Sequence, residues 1–308
     1  MRIFISVILW LVSQSALDAS SGYVVFLTPQ SNIDLVWSRY ASISDVTFQY
    51  SPGVYLTKGA NSLTNATMHS NQHHIGAGSG QTVFRLIGSA QGVFDGRIFA
   101  SWGTWISNWS CQGITLDINA ANQPKWLVNQ GKLAGIECWG GNNISLEDVE
   151  FINFGTSIKG VECFPCGFFS INESSPLVQD YITIDHCRWD SPAIGNKDGT
   201  TMCVIGDNPN GNVRCGPHCS VTNCSFLYCK SDFLYCQDVG APGQIEYNSA
   251  INSGTFYYSE PVQPIFPNAP VIIDYNVVTG GWALFCILPH PPGCISSEIF
   301  IGVHNIIN

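Results

Sequence analysis

Apolar and polar residues follow one shared pattern in five segments of the chain. In each segment an apolar residue occupies the first, third and eighth positions, and a key residue occupies the sixth. The segments are Trp109–Leu116, Ile144–Phe151, Ile182–Trp189, Cys219–Phe226 and Val271–Val278. Their key residues are Ile114, Val149, Cys187, Cys224 and Asn276, and looser copies surround Asn248 and Asn305. The chain therefore contains an irregular internal repeat.

The spacing and periodicity of this repeat indicate its structure. Successive key residues lie 35, 38, 37, 24, 28 and 29 positions apart. Helical repeats have similar lengths, but the apolar residues here alternate with a period of two, which is the period of a strand. Gly and Asn recur between the short runs, as they do in tight turns. The pattern predicts an all-β, single-stranded, right-handed parallel β-helix with loop insertions.

In such a solenoid, equivalent residues of successive coils form columns spaced by about 4.8 Å. The residues predicted to point inward are Leu116, Phe151, Trp189, Phe226 and Val278. Cys187 and Cys224 share the key column and are predicted to be buried thiols that pack as small apolar groups. A disulfide between these two cysteines is the alternative.

The composition of the chain excludes a disordered protein and argues against a nucleic-acid-binding protein. Apolar residues make up 45% of the chain and charged residues 11%, which excludes a disordered chain. Lys and Arg number 12 against 22 Asp and Glu, for a formal net charge of −10. Nucleic-acid binders carry basic patches, so this acidity argues against such a partner.

The first residues resemble a secretory signal. Residues 1–19 combine Arg2, the apolar run from Ile3 to Val12 and small residues at Ala16 and Ala19. The apolar run is shorter than the roughly 20 residues that a membrane span requires. We therefore expect a signal peptide at 1–19, a β-helix domain at 20–308, secretion and no membrane span.

The expected secretion allows the cysteines to form disulfides and the asparagines of sequons to be glycosylated. Thirteen cysteines indicate an oxidising compartment, and the odd number leaves one or more thiols unpaired. We predict loop disulfides between Cys163 and Cys166, Cys203 and Cys215, and Cys286 and Cys294. A zinc site where two such pairs meet is the alternative. Sequons predict glycosylation at Asn65, Asn108, Asn143 and Asn172, and a weaker one lies at Asn223.

The N-terminal part of the repeat carries a family resemblance. Pro52–Leu56 (Pro-Gly-Val-Tyr-Leu) and Gly76–Thr82 (Gly-Ala-Gly-Ser-Gly-Gln-Thr) resemble the first coils of pectin-lyase-like β-helices. The resemblance supports the fold and implies a site on one outer face, where long loops border a groove. The insertions that would border it are Ala120–Ala134, Thr156–Gln179, Ala193–Pro217 and Gln237–Gly243.

Two stretches in the middle coils are similar to polygalacturonases. Residues 196–199 (Asn-Lys-Asp-Gly) resemble the Asn-Thr-Asp-Gly motif of that family, and 231–235 follows at the family's position for an Asp-Asp pair. The resemblance implies that Asp198 and Asp232 face one groove and hydrolyse a glycosidic bond with inversion, without a cofactor. Lys197 and Lys230 are neighbouring candidates for substrate binding. Ser231 replaces one family carboxylate, and the family's Gly-His-Gly and Arg-x-Lys motifs have no counterpart here.

Other residues extend the list of candidates. Residues 182–187 (Ile-Thr-Ile-Asp-His-Cys) resemble a pectate lyase strand, which implies an acid or base role for His186, with a turn residue as the alternative. Tyr257 and Trp282 are candidates for stacking on sugar rings, or are core residues. Glu147 should share an outer column with Asp185, Glu246 and Asp274, either as a solvent-facing ladder or as a Ca²⁺ site.

Three functions remain open at this point. The first is a secreted polysaccharide hydrolase that resembles polygalacturonases. The second is a non-catalytic surface or glycan-binding β-helix, and the third is a polysaccharide lyase or epimerase. In each case the expected partner is a polysaccharide or other glycan, bound by a monomer.

Overall fold

The chain winds into a right-handed parallel β-helix, which confirms the predicted fold. This computed structural model describes residues 22–60, 66–87, 96–101, 104–123, 133–153, 166–171, 178–190, 203–207, 214–215, 218–227, 234–237, 244–251, 255–260, 271–280, 283–287 and 299–308. All the described strand pairs are parallel, and one isolated antiparallel bridge joins Ala60 to Arg97. The predicted signal peptide lies outside the described residues.

The coils have three faces, which we call A, B and C. Face A contains β1 (Tyr23–Leu27), β2 (Val46–Tyr50), β4 (Gln72–Ile75), β11 (Val178–Asp185), β15 (Ser220–Thr222), β18 (Gln244–Glu246), β21 (Val271–Asp274) and β24 (Ile299–Ile301). Face B contains β3 (Gly53–Thr57), β5 (Thr82–Leu86), β12 (Arg188–Asp190), β16 (Ser225–Leu227), β19 (Ser249–Ile251), β22 (Val277–Thr279) and β25 (Ile306–Ile307). Face C contains β6 (Gly96–Ala100), β8 (Leu133–Cys138), β10 (Cys166–Ile171), β13 (Cys203–Asp207), β17 (Leu234–Gln237), β20 (Thr255–Glu260) and β23 (Ala283–Ile287).

Faces A and B form one 18-stranded sheet, whereas face C is a separate sheet of seven strands. The long strands β7 (Ile106–Asp117) and β9 (Gly141–Ile152) run through both A and B. The short β14 (Arg214–Cys215) pairs with the start of β11.

Single residues in the left-handed conformation bend the chain at both edges of face A. The first bend column precedes face A and contains Asp45, Asn71, Asn108, Asn143 and Tyr181. The second bend column joins face A to face B and contains Gly113, Asp148, His186, Asn223, Tyr247 and Tyr275. Left-handed backbone suits Gly, Asn and Asp, and is unfavourable for most other residues. The tyrosines and the histidine at these bends therefore need support from their neighbours.

The interior is a stack of apolar side chains, as the repeat predicts. Leu116, Phe151, Trp189, Phe226 and Val278 are all buried. The rings of Phe151 and Trp189 stack at 4.9 Å, and those of Trp189 and Phe226 at 4.7 Å. Successive coils thus place large rings directly on one another.

The thiols of the key column are buried and unbridged. Cys187 and Cys224 are free cysteines, which confirms the predicted packing of thiols and not the alternative disulfide. Burial raises the pKa of the Cys187 thiol, so that it stays protonated. The three predicted loop disulfides are not tested by the structure and stay predictions. Cys163 and Cys294 lie outside the described residues. The side chains of the other four cysteines are not described, namely Cys166, Cys203, Cys215 and Cys286.

A short helix covers the N-terminal end of the solenoid. The helix α1 (Ile33–Tyr40) is capped by Asn32, whose side chain accepts a hydrogen bond from the Leu35 amide. Its apolar side buries Ile33 and Trp37, and the Trp37 indole N–H donates to the Tyr50 hydroxyl at 2.8 Å. A further helix, a 3-10 turn, lies at Ala120–Asn122.

The key column ends in a ladder of buried amides. The Asn276 Oδ1 accepts hydrogen bonds from the backbone and side-chain N–H groups of Asn248, both at 3.0 Å. The Asn276 Nδ2 donates to the Ile245 carbonyl at 2.9 Å and to the Asn305 Oδ1 at 3.1 Å. Each amide thereby satisfies backbone groups of the adjacent coils that would otherwise be buried without partners.

We expect Asn276→Ala to lower the free energy of unfolding by about 2–3 kcal/mol, because it leaves buried polar groups of two coils without hydrogen-bond partners. Urea unfolding followed by circular dichroism measures this loss. The control is Asn122→Ala, which removes an exposed amide and should cost under about 0.5 kcal/mol. Equal losses in the two variants would contradict a structural role for the ladder.

Candidate functional site

The long insertions of the chain all adjoin face C. From β9 to β22 a bend of one or two residues joins face A to face B, whereas six or more residues separate β9 from β10, β12 from β13 and β16 from β17. Segments 124–132, 154–165, 191–202 and 228–233 precede β8, β10, β13 and β17, and 172–177, 208–213, 238–243, 261–270 and 288–298 follow strands of face C. Face C is therefore the side of the solenoid where the sequence predicts a groove.

Strand order brings the segments of the two candidate acids to neighbouring coils. Asp198 lies in 191–202 and Asp232 in 228–233, and both are outside the described residues. The strands that follow them, β13 and β17, are paired, with Cys203 opposite Leu234. The two segments therefore precede paired strands of face C. Lys197 and Lys230 belong to the same two segments.

The two aromatic candidates lie in or directly before further strands of face C. Tyr257 lies in β20, which pairs with β17, although its side chain is not described. Trp282 lies outside the described residues and directly precedes β23, which pairs with β20. Tyr257 therefore belongs to the coil next to that of Asp232, and Trp282 belongs to the coil after that one.

His186 lies on another side of the solenoid. It occupies the second bend column between β11 and β12, next to Asn223, as the turn interpretation predicts. Its Nδ1 is 2.7 Å from the Asp185 carboxylate, which also accepts from Thr222 and Asn223. Burial alone would raise the pKa of Asp185, but these hydrogen bonds outweigh it and lower that pKa. The structure does not bring His186 to face C.

The predicted outer column of acids is present on face A. Asp185 is in register with Glu147, and Glu246 with Asp274, while Thr222 lies between Asp185 and Glu246. Within the described ranges, no group of three or more His, Cys, Asp or Glu side chains is arranged to hold a metal ion.

A buried ion pair closes the N-terminal end of face C. The carboxylate of Glu137 in β8 is 4% exposed and pairs with the Arg97 guanidinium in β6. It also accepts a hydrogen bond from the Trp139 indole N–H at 2.7 Å. Thr67 bonds to the backbone of Ile98 and Ala100, so that residues 66–68 lie over this end. The repeat does not predict this cluster. A Glu within the otherwise apolar strand β8 is the one feature of the sequence that could have indicated a buried charge.

Exposed rings form two further clusters outside face C. Tyr247, Tyr275 and His304 stack on successive coils at 4.8 and 4.4 Å, and Tyr181 stacks on His218 at 4.5 Å. The Asp274 carboxylate contacts His304 Nδ1 at 2.9 Å and also accepts a hydrogen bond from the backbone N–H of Tyr275. These contacts, the one with His304 above all, lower the pKa of Asp274.

Asp180 makes the corresponding contacts with Tyr181 and His218. Stacking covers the ring faces inside each cluster, so these faces are not available to a ligand.

Two of the predicted glycosylation sites can be located. Asn108 and Asn143 occupy successive positions of the first bend column, and Asn143 is exposed whereas Asn108 is half-buried. Asn65 and Asn172 lie outside the described residues.

Comparison with solved structures supports the fold. The PL6 family alginate lyase AlyGC matches 97% of this chain over 41% of its own length, with a TM-score of 0.57 and 11% identity. The A-module of a mannuronan C-5 epimerase from Azotobacter vinelandii matches 90% of this chain and 94% of its own, with a TM-score of 0.38 and 15% identity. A GH87 alpha-1,3-glucanase from Streptomyces thermodiastaticus matches 96% and 70%, with a TM-score of 0.24 and 11% identity.

The match to the alginate lyase supports the parallel β-helix at the level of fold. The chain spans about two fifths of the length of the alginate lyase. No protein-family model and no curated protein sequence matches it. None of the helices in the described ranges is long and apolar enough to cross a membrane.

Proposed function

We propose that this protein is a secreted, carbohydrate-active β-helix that hydrolyses a polysaccharide bound along face C. The observation that carries the proposal is the strand order, since the two segments with Asp198 and Asp232 precede paired strands of face C. The long segments that precede and follow strands of this face are the expected walls for an extended ligand. The alginate lyase with the same fold suggests polysaccharide as the class of ligand.

The proposed chemistry uses two carboxyl groups on opposite sides of one glycosidic bond. One of Asp198 and Asp232 protonates the leaving oxygen as an acid, and the other removes a proton from the attacking water. Inverting enzymes hold two such groups about 6.5–9.5 Å apart, which leaves room for the water. Neighbouring coils provide such a separation when the two residues are offset along their strands.

We expect Asp198→Asn and Asp232→Asn each to lower the rate of polysaccharide cleavage by about 10² or more, the usual contribution of a general acid or base. Each change keeps the shape of the side chain and removes the titrating group. The matched control is Glu147→Gln, which removes one exposed carboxylate from face A and should leave the rate unchanged. Reducing-sugar release from neutral and acidic polysaccharides measures the activity.

Full activity in both aspartate variants would refute this assignment. Products with a new carbon–carbon double bond would indicate a lyase, and inverted sugar stereochemistry without cleavage would indicate an epimerase. The net charge of −10 disfavours a polyanionic substrate unless a cation bridges it to the protein.

The second candidate function is glycan binding without catalysis. Ser231 favours it, because polygalacturonases have a further carboxylate at this position. Wild-type protein that binds a polysaccharide and cleaves none of those tested would establish this alternative.

A further inference from the structure

Asn143 is the exposed end of a ladder of surface amides. Its Nδ2 donates to the Asn108 Oδ1 at 3.1 Å, and the Asn108 Nδ2 donates to the Asn71 Oδ1 at 3.1 Å. All three residues adopt the left-handed conformation of the first bend column. Asn108 is therefore held between amides on both sides, whereas Asn143 has an amide neighbour on one side only.

The sequon at Asn143 is compatible with the fold. In Asn143-Ile144-Ser145, the Ile144 side chain is buried in the core and Asn143 is exposed. Strand β9 bends at Asn143, so the side chain leaves the solenoid at an edge of face A. A substituent on this side chain can extend into solvent without displacing a strand.

The neighbour of Asn143 on the next coil is an aromatic ring. Pairing of Asn142 with Asp180 and of Ile144 with Ile182 sets Asn143 opposite Tyr181. Tyr181 is 51% exposed, and one face of its ring stacks on His218 at an interplanar angle of 4°. No ring of the described residues stacks on the face that looks toward Asn143. Coil spacing puts this face about one strand separation, roughly 4.8 Å, from the Asn143 position.

His218 and Asp180 hold this ring in place. The Asp180 carboxylate accepts from the backbone N–H of Tyr181 at 2.9 Å and from that of His218 at 2.9 Å. Its second oxygen lies 2.7 Å from His218 Nδ1. Tyr181 is thus a preorganised aromatic surface whose electron-rich face can attract the C–H groups of a sugar.

We infer that Asn143 carries an N-linked oligosaccharide and that its first sugar packs on the ring of Tyr181. The donor is an oligosaccharide linked to a lipid pyrophosphate. The Asn143 Nδ2 forms a bond to the anomeric carbon of the sugar and loses a proton, while the bond from that carbon to the pyrophosphate oxygen breaks and the lipid pyrophosphate leaves. At Asn108 the same sugar would have to fit between Asn71 and Asn143, so Asn108 stays unmodified in the folded protein.

Glycopeptide mass spectrometry of the full chain secreted from a eukaryotic host tests the site. We expect a glycan on the peptide with Asn143 and none on the peptide with Asn108. Asn143→Gln should remove one glycan from the mass of the protein, and the matched change Asn108→Gln should remove none. An unmodified Asn143, or a glycan on Asn108, in secreted folded protein overturns the assignment.

The contact with Tyr181 has a separate test. We expect Ser145→Ala, which removes the sequon and keeps Asn143 in its left-handed bend, to lower the melting temperature of the secreted protein. We expect this difference to disappear in a Tyr181→Gly background. Glycine accepts the left-handed bend without strain. Tyr275→Gly is the matched control, since it removes an equivalent bend tyrosine that stacks on His304. An equal effect of Ser145→Ala in the Tyr181→Gly and Tyr275→Gly backgrounds overturns the packing of the sugar on Tyr181.

Discussion

Arg97→Leu is expected to lower the free energy of unfolding by about 3–5 kcal/mol, the usual cost of leaving one partner of a buried ion pair uncompensated. Glu137 is 4% exposed, so water cannot replace the lost guanidinium. The Trp139 indole N–H remains as a hydrogen-bond donor to the carboxylate, but it carries no positive charge. Urea unfolding monitored by tryptophan fluorescence and by circular dichroism gives the loss.

Two control variants separate the buried charge from loss of packing. Arg97→Leu combined with Glu137→Leu removes both charges and should recover most of the lost stability, because an apolar pair of similar volume is often neutral or better. Arg188→Leu removes a half-exposed guanidinium that lies 2.6 Å from Asp190, and a surface pair contributes only about 0–1 kcal/mol. A double variant as unstable as Arg97→Leu alone would show that the buried charge is not the cause.

The sequence predicts the coils well because burial on one side of a strand imposes a period of two. Phe151, Trp189 and Phe226 share a template position, and the structure stacks them in one column. The helix α1 was not predicted, since it lies outside the repeat and its single turn of apolar contacts, through Ile33 and Trp37, has no second copy.

At the bends, the conformational preferences of the individual residue types do not predict the backbone conformation. Left-handed positions favour Asn and Gly, so nothing in the local sequence marks Tyr181 or Tyr275 as bend residues. The structure supports each tyrosine from the next coil, where a histidine ring stacks on it, and from the preceding aspartate. Such support depends on the register between residues 29 or more positions apart, which the conformational preferences of single residues do not determine.

The sequence also predicts only part of the candidate site. The sequence predicts four insertions beside a groove on one face. Two of them, Thr156–Gln179 and Ala193–Pro217, contain the strands β10 and β13 of face C, and the other two lie next to β8 and β17 of the same face. The contact of Arg97 with Glu137, 40 positions apart, depends on the pairing of β6 with β8, in which Glu137 lies opposite Ala100, and no local pattern encodes it. The roles of Asp198 and Asp232 remain predictions.

Acid is expected to destabilise the fold through His74. This residue is buried in the aromatic N-terminal core, where its Nδ1 lies 2.8 Å from the Tyr50 hydroxyl and its ring stacks on Phe48 at 5.0 Å. Burial, assisted by the positive charges that His73 and His69 can carry, lowers the pKa of His74 to about 3. Its Nε2 has no hydrogen-bond partner among the described residues, so a proton there would be buried without an acceptor.

The sign of the effect follows from the two pKa values. In the unfolded chain His74 takes up a proton near pH 6.5, its ordinary pKa, whereas in the folded chain it resists protonation until about pH 3. Between these values the unfolded state binds more protons, so stability falls as the pH falls. From pH 7 to pH 4 the loss from this one group is about 3 kcal/mol, since each unit of pKa difference is worth about 1.4 kcal/mol.

His74→Phe isolates this contribution. Phenylalanine fills the same position between aromatic rings and does not titrate, while the Tyr50 hydroxyl loses one partner at every pH. We therefore expect the variant to be less stable than the wild type near pH 7 and to lose about 3 kcal/mol less between pH 7 and pH 4. Urea unfolding at a series of pH values measures both slopes, and carboxylates such as Asp185 and Asp274 contribute equally to the two proteins. Parallel slopes for wild type and variant would show that His74 titrates normally in the folded chain.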